Sequence, residues 1–280
     1  MYVLIKSNFL RIIKSPSLWV CCALQAVITL VQACISLKTL EFVPLDSLFT
    51  ATLTIGGFPI TPWMILLTGV FFFGEELKSR AINNKLILGY SRTQVLIAGF
   101  VAVLTGAFVM YAVKLLSICI FVLPLTAFGG YFSFRWQYNV AVLFNSVFIL
   151  TFYSALVTFI ASISTNTVGI LWRIILLYAI VFTFAFLGVF QMNFFEQEYL
   201  DFAVRSVITD YPHIEISPET PSKAARDFNK FLFDLLPMGQ CMQIDSGYPL
   251  CLLQTVPYCI LDTAIVLGGS ILVTKKRNFS

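Results

Sequence analysis

Residues Phe71-Phe72-Phe73-Gly74-Glu75-Glu76-Leu77-Lys78-Ser79-Arg80-Ala81-Ile82-Asn83-Asn84-Lys85-Leu86-Ile87-Leu88-Gly89-Tyr90-Ser91-Arg92 decide how the rest of the chain is read. An apolar run long enough to cross a bilayer stops at Gly74 in two carboxylates, Glu75 and Glu76. A short, charged, helix-prone stretch follows and closes on Gly89-Tyr90-Ser91-Arg92, where a second long apolar run begins at once. Each charge at the centre of a bilayer costs roughly 3 kcal/mol or more. A polar helix wedged between two spans therefore sits at a membrane face, within reach of a soluble partner.

Composition agrees with that reading. Hydrophobic residues make up 59% of the chain and charged residues 11%, against about 25% charged in soluble domains, and the mean hydropathy is +0.88. A bilayer core takes roughly 20 mostly apolar residues per helix. Six runs meet that requirement: 18–37, 58–74, 93–125, 138–163, 169–190 and 250–274. The expected fold is an all-α integral membrane protein with six transmembrane helices, a single domain over residues 1–280. The third run is long for one crossing and is expected to tilt or break, and Pro257 predicts a kink in the sixth.

The cysteines Cys21, Cys22, Cys34, Cys119, Cys241, Cys251 and Cys259 lie in or beside apolar runs with no Cys-x-x-Cys spacing. They read as small buried hydrophobes, not as a metal site or a disulfide framework. The net charge of +4 is too small to argue for nucleic acid. The first span has full length and no convincing cleavage site, so no cleavable signal peptide is expected.

Lysine and arginine placement sets the orientation. With the N-terminus inside, Lys6, Arg11, Lys14, Lys78, Arg80, Lys85, Arg92, Arg173, Lys275, Lys276 and Arg277 collect on the cytoplasmic side, and the short outer loops hold Lys38 and Arg135. Both termini are expected in the cytoplasm of a multi-pass cell-membrane protein. Residues 1–16 place Ile5, Phe9, Ile12 and Ile13 on one helical face and Lys6, Ser7, Arg11 and Lys14 on the other, the pattern of a helix lying in the interface. Phe9, Arg11 and Lys14 are its candidate contacts, and Pro16 makes an elbow before the first span. The outer segment 191–249 is expected to fold into short helices, one starting at Thr220-Pro221 and ending at Pro237-Met238-Gly239.

Much chemistry is excluded. No Gly-x-x-x-x-Gly-Lys-Ser/Thr loop occurs, so ATP chemistry, if used, belongs to another chain. There is no His-Glu-x-x-His or Gly-x-Ser-x-Gly, and His213 is the sole histidine. No catalytic residue and no metal ligand set is expected. Lys114 and Asp262 are ionisable residues inside spans, at comparable depth, and an ion pair between them would offset the cost of burying each. A polar element of a translocation path, a structural pair, and snorkelling of Lys114 all fit these two residues. Asn145 and Gln25 read as helix–helix contacts.

The segment 75–92 resembles the cytoplasmic coupling helix of type-2 ABC exporter permeases, which carry Glu-Glu-x-Lys, Asn-Lys-Leu-Ile and Gly-Tyr-Ser-Arg between their second and third spans. It departs at Arg80, Ala81 and Asn83, where that family more often has Gly, Thr and Arg. The resemblance implies an export permease for an amphipathic or hydrophobic substrate, such as a peptide, a bacteriocin, a lipid-like molecule or a drug. It implies ABC ATPase subunits as partners, which hold the ATP and Mg, and a second permease copy, a homodimer being expected ahead of a heterodimer. Glu75, Glu76, Lys78, Arg80, Lys85, Leu86, Ile87, Gly89, Tyr90 and Arg92 would couple to the ATPase, with Leu86, Ile87 and Tyr90 on one docking side. Two other classes fit the composition: a secondary transporter using Lys114 and Asp262, and an accessory or immunity membrane subunit.

Overall fold

The computed structural model describes residues 1–39, 60–79, 81–122, 136–164, 166–191, 231, 234–245 and 252–276. Every regular element among them is helical: α1 (Tyr2–Ile13), α2 (Pro16–Thr39), α3 (Ile60–Lys78), α4 (Ala81–Ile87), α5 (Arg92–Ser117), α6 (Trp136–Ile163), α7 (Thr167–Gln191), α8 (Pro237–Asp245) and α9 (Leu252–Lys276). A π-helical segment, Ile118–Val122, extends α5. Within the described residues the long third run continues as one helix to Phe121 and changes to π-helical hydrogen bonding after Ser117. Pro257 stays inside α9.

Helices long and apolar enough to cross a membrane are Ile60–Lys78, Arg92–Phe121, Val140–Ile163 and Thr255–Lys276. A fifth crossing is reached if α1 and the first part of α2, bent by 50° at residues 14–15, count as one broken span. Within α7 the apolar stretch is the shorter Thr167–Ile180. The chain is thus a membrane protein with four to five evident crossings among the described residues.

The core forms where α3 and α6 meet their neighbours. α6 packs against α9, α3 and α5, and α3 also packs against α7. In lipid there is no hydrophobic drive between helices, so small residues that let backbones approach hold them together. A Cβ on Gly69 would lie 2.7 Å from Val157 of α6, and one on Gly74 would lie 2.5 Å from Thr167 of α7. Buried hydroxyls are satisfied within their own helices: Thr68, Ser146, Ser154 and Thr158 each donate to the carbonyl four residues back. Asn145 Nδ2 donates to Thr255 Oγ1 at 2.6 Å and ties α6 to α9, as expected of a polar contact between spans. Gln25 is fully buried in α2, and neither side-chain amide atom finds a partner among the described residues.

Most of the outer segment, including Thr220-Pro221 and His213, lies outside the described residues. At its end Asp234 and Leu235 are helical, the chain bends at Leu236, and Pro237, beyond what the sequence suggested, opens a further helix, α8. A proline suits the first helical position because its missing N–H has no intrahelical partner there anyway. α8 is buried against α6, α7 and α9. Gln240 holds it by donating to the Asp234 carbonyl at 2.7 Å and accepting from Cys259 Sγ at 2.9 Å.

The α3–α7 contact is testable. Gly74→Ala should destabilise the detergent-solubilised protein by about 1–3 kcal/mol, the usual cost of overpacking a tight contact. Gly268→Ala, whose added methyl meets nothing within 4 Å, should be neutral or stabilising by up to about 1 kcal/mol. Paired thermal unfolding of the two variants reads the difference.

Candidate functional site

The segment between α3 and α5 is built by two adjacent capping motifs. Gly89, at φ +90°, takes the left-handed conformation that ends α4. Tyr90 N–H donates to the Lys85 carbonyl at 3.2 Å and Gly89 N–H to the Leu86 carbonyl at 3.0 Å, the paired bonds of a Schellman stop. One residue later Ser91 caps α5: its hydroxyl accepts from Gln94 N–H, and the Gln94 side chain accepts from Ser91 N–H. Gly-Tyr-Ser-Arg is therefore a stop and a start in consecutive residues. It fixes a seven-residue helix between two long ones.

That helix is tethered by charge. Glu76, near the end of α3, is only 1% exposed. Its Oε1 accepts from Arg11 Nη1 of α1 at 3.0 Å and from Lys85 Nζ of α4. Arg11 Nη2 also donates to the Phe72 carbonyl at 3.1 Å, and the guanidinium stacks 4.6 Å above the Phe72 ring. Lys85 Nζ reaches on to Asn8 Oδ1 at 2.9 Å. One buried carboxylate so joins α1, α3 and α4, and Asn8 closes the loop back to α1. Leaving that carboxylate unpaired would cost several kcal/mol, whereas with both cations in place the node carries a net positive charge.

The sequence expectations sort themselves against this geometry. Glu76 and Lys85 meet, but Glu75 and Lys78 are exposed and outside the node. Arg80 lies outside the described residues. Arg11 turns toward α3 and leaves the outward polar face to Lys6 and Lys14, because Leu4, Asn8 and Ile12 form the buried stripe of α1. Phe9 is exposed. Leu86 and Tyr90 pack inward with Ile5 and Ile82 on Leu4, Val95 and Ala98. Ile87, one position round the helix, is 82% exposed and Leu88 is 76% exposed. Leu86, Ile87 and Tyr90 therefore do not share an outward face. The two available apolar side chains are Ile87 and Leu88.

Asn8 carries no charge and was not among the candidates, and Phe72 belongs to an aromatic run with no charge of its own, yet both complete the node. The four-residue spacing Leu4-Asn8-Ile12 was the signal, since it puts an amide in the middle of a buried stripe. Elsewhere, Lys114 is fully buried in α5 and Asp262 half-buried in α9. The two helices that carry them touch.

Replacing Glu76 with Ala leaves Arg11 and Lys85 facing each other with no anion. It should destabilise the protein by about 3–5 kcal/mol, the cost of breaking a buried pair. Adding Arg11→Met and Lys85→Met to the same chain should restore much of that loss. Thermal unfolding of the single and triple variants measures both.

Compared with protein-family models and with curated proteins, the chain matches no family model and no curated sequence.

Proposed function

We propose that the chain is the membrane permease subunit of an ATP-driven exporter, with six spans, both termini in the cytoplasm, and α4 as the helix that docks a separate ATPase. One observation carries this reading. A seven-residue helix between two long ones is held on its inner side by a buried ion-pair node and presents two bare aliphatic side chains, Ile87 and Leu88, on its outer side. A connecting loop with no partner has no reason to combine a rigid inner tether with an apolar tip, which water disfavours. A short helix with such a tip fits a groove on a soluble partner.

The mechanism follows from the connections. ATP and Mg bind the partner ATPase, whose closure displaces α4. The displacement passes through Lys85 and Glu76 into α3, and through Asn8 and Arg11 into α1. These helices pack on α5, α6 and α7, so the push reaches the bundle that would form the export path for an amphipathic or hydrophobic substrate. A second permease copy completes the path.

Two experiments test the proposal. Changing Ile87 and Leu88 together to Asp should leave insertion and thermal stability near wild type, because both side chains are solvent-facing. Affinity for the proposed ATPase partner should weaken roughly thirtyfold or more, the effect of losing an interface hot spot of about 2 kcal/mol. Undiminished ATPase binding would contradict the docking role. For orientation, a thiol reagent that cannot cross membranes should reach Asn84→Cys only after cells are opened, and Ser222→Cys in intact cells. Labelling of Asn84→Cys from outside would reverse the topology.

A further inference from the structure

A cavity of about 160 Å³ lies where α3, α6 and α7 meet the start of α8. Its lining carries no charged side chain. Three of the lining residues are aromatic: Phe152 and Tyr153 of α6 and Tyr178 of α7. Their rings are steadied by ring contacts. Trp63 of α3 lies 4.3 Å from Tyr178, centroid to centroid, and Phe152 meets Tyr153 edge-on at 5.4 Å. Leu156 of α6, the bend Leu236-Pro237 and Met238 of α8 supply further wall. Leu177 belongs both to this lining and to the exposed surface of α7, so the way in from surrounding hydrocarbon is short.

We propose that this cavity binds a small neutral aromatic molecule, about one ring in size, that enters from the bilayer. Size argues first. Drug-sized ligands occupy about 300–1,000 Å³, whereas a dry apolar cavity of about 150 Å³ holds benzene. A lipid chain reaches across about half of a 30 Å hydrocarbon core, so only its tip would fit. Charge argues next, because an ion placed here would lose its water and gain no partner of opposite sign. Shape and chemistry then favour a ring. The aromatic side chains can pair with a guest ring in offset or edge-to-face geometry, and the Met238 thioether adapts to a ring edge. A guest also restores the dispersion contacts that the wall atoms forfeit across an unfilled space. Once bound, it braces Pro237 and Met238, and with them α8, against α6 and α7. The site rests on the cavity alone and stands whether or not α4 docks an ATPase.

The test uses the full chain in phosphatidylcholine nanodiscs, with ¹³C in the methionine methyl groups, titrated with benzene. The Met238 resonance, assigned with Met238→Leu, should shift saturably, because a ring beside it adds its ring current. Met110, buried against Thr68 and outside the cavity, should not move and so reports the fold. Leu156→Trp, which puts an indole into the space, should abolish the Met238 titration with Met110 in place. On the wild type, cyclohexane, similar in size but without a π face, should compete about fivefold less well than benzene, the preference of one aromatic pair. A Met238 signal that stays still, as when a lipid tip already fills the site, would overturn the proposal. So would a shift that grows with added benzene and never saturates, equal competition by cyclohexane, or a wild-type titration in Leu156→Trp with Met110 unmoved.

Discussion

A single carboxylate shared by two cations organises one end of this molecule. Glu76 sits at the end of α3, out of water, and its charge must be answered by protein. Arg11 comes from a helix 65 positions earlier in the chain and Lys85 from the short helix that follows. Neither α1 nor α4 has much core of its own: α4 buries no residue fully, and α1 buries only Leu4, Asn8 and Ile12. The ion-pair node supplies the directional part of their attachment, and the small cluster around Leu4, Val95 and Ala98 supplies the apolar part. The interaction is also asymmetric in energy. Made complete it contributes modestly, but deprived of one member it leaves a buried charge uncompensated. Such a joint transmits displacement well, because its parts cannot separate cheaply.

The turn chemistry makes the joint possible. If α4 ran on past Gly89, Lys85 would belong to a helix pointing away from the bundle. The left-handed Gly89 and the cap at Ser91 stop one helix and start the next within three residues. That sharp return keeps Lys85 facing Glu76 and turns Ile87 and Leu88 outward. Replacing Gly89 would put a side chain into strained backbone, with no neighbour in its way and so purely at a conformational cost.

The sequence made a good part of this readable. Apolar run length placed the long helices and Pro16 placed the elbow, whereas the third run, expected to tilt or break, continues as one helix to Phe121 with a change to π-helical bonding. Glu76 and Lys85 were both candidates because charges beside a span are conspicuous. Their pairing was not readable, since a carboxylate at position 76 has nearer cations at 78 and 80. Arg11 was misplaced for a related reason. A helical wheel of α1 assigns charge to water, and only tertiary contact reveals a buried carboxylate on the other side. Ile87 and Leu86 differ by one residue, a rotation of about 100° on a helix, and in a helix this short the pattern alone does not say which faces the bundle. Pro237 was ambiguous in the same way, because proline marks a helix end and a helix start equally well.

The most direct test is the distance between α1 and α4 with and without the shared carboxylate. Spin labels at Ser7 and Asn84, both exposed, would report it by pulsed electron resonance on a cysteine-depleted chain in nanodiscs. One narrow distance distribution is expected when Glu76 is present. A broad or shifted one is expected in Glu76→Ala, with the narrow form returning when Arg11→Met and Lys85→Met are added. An unchanged narrow distribution in Glu76→Ala would show that packing alone positions the two helices, and that the node does not join them.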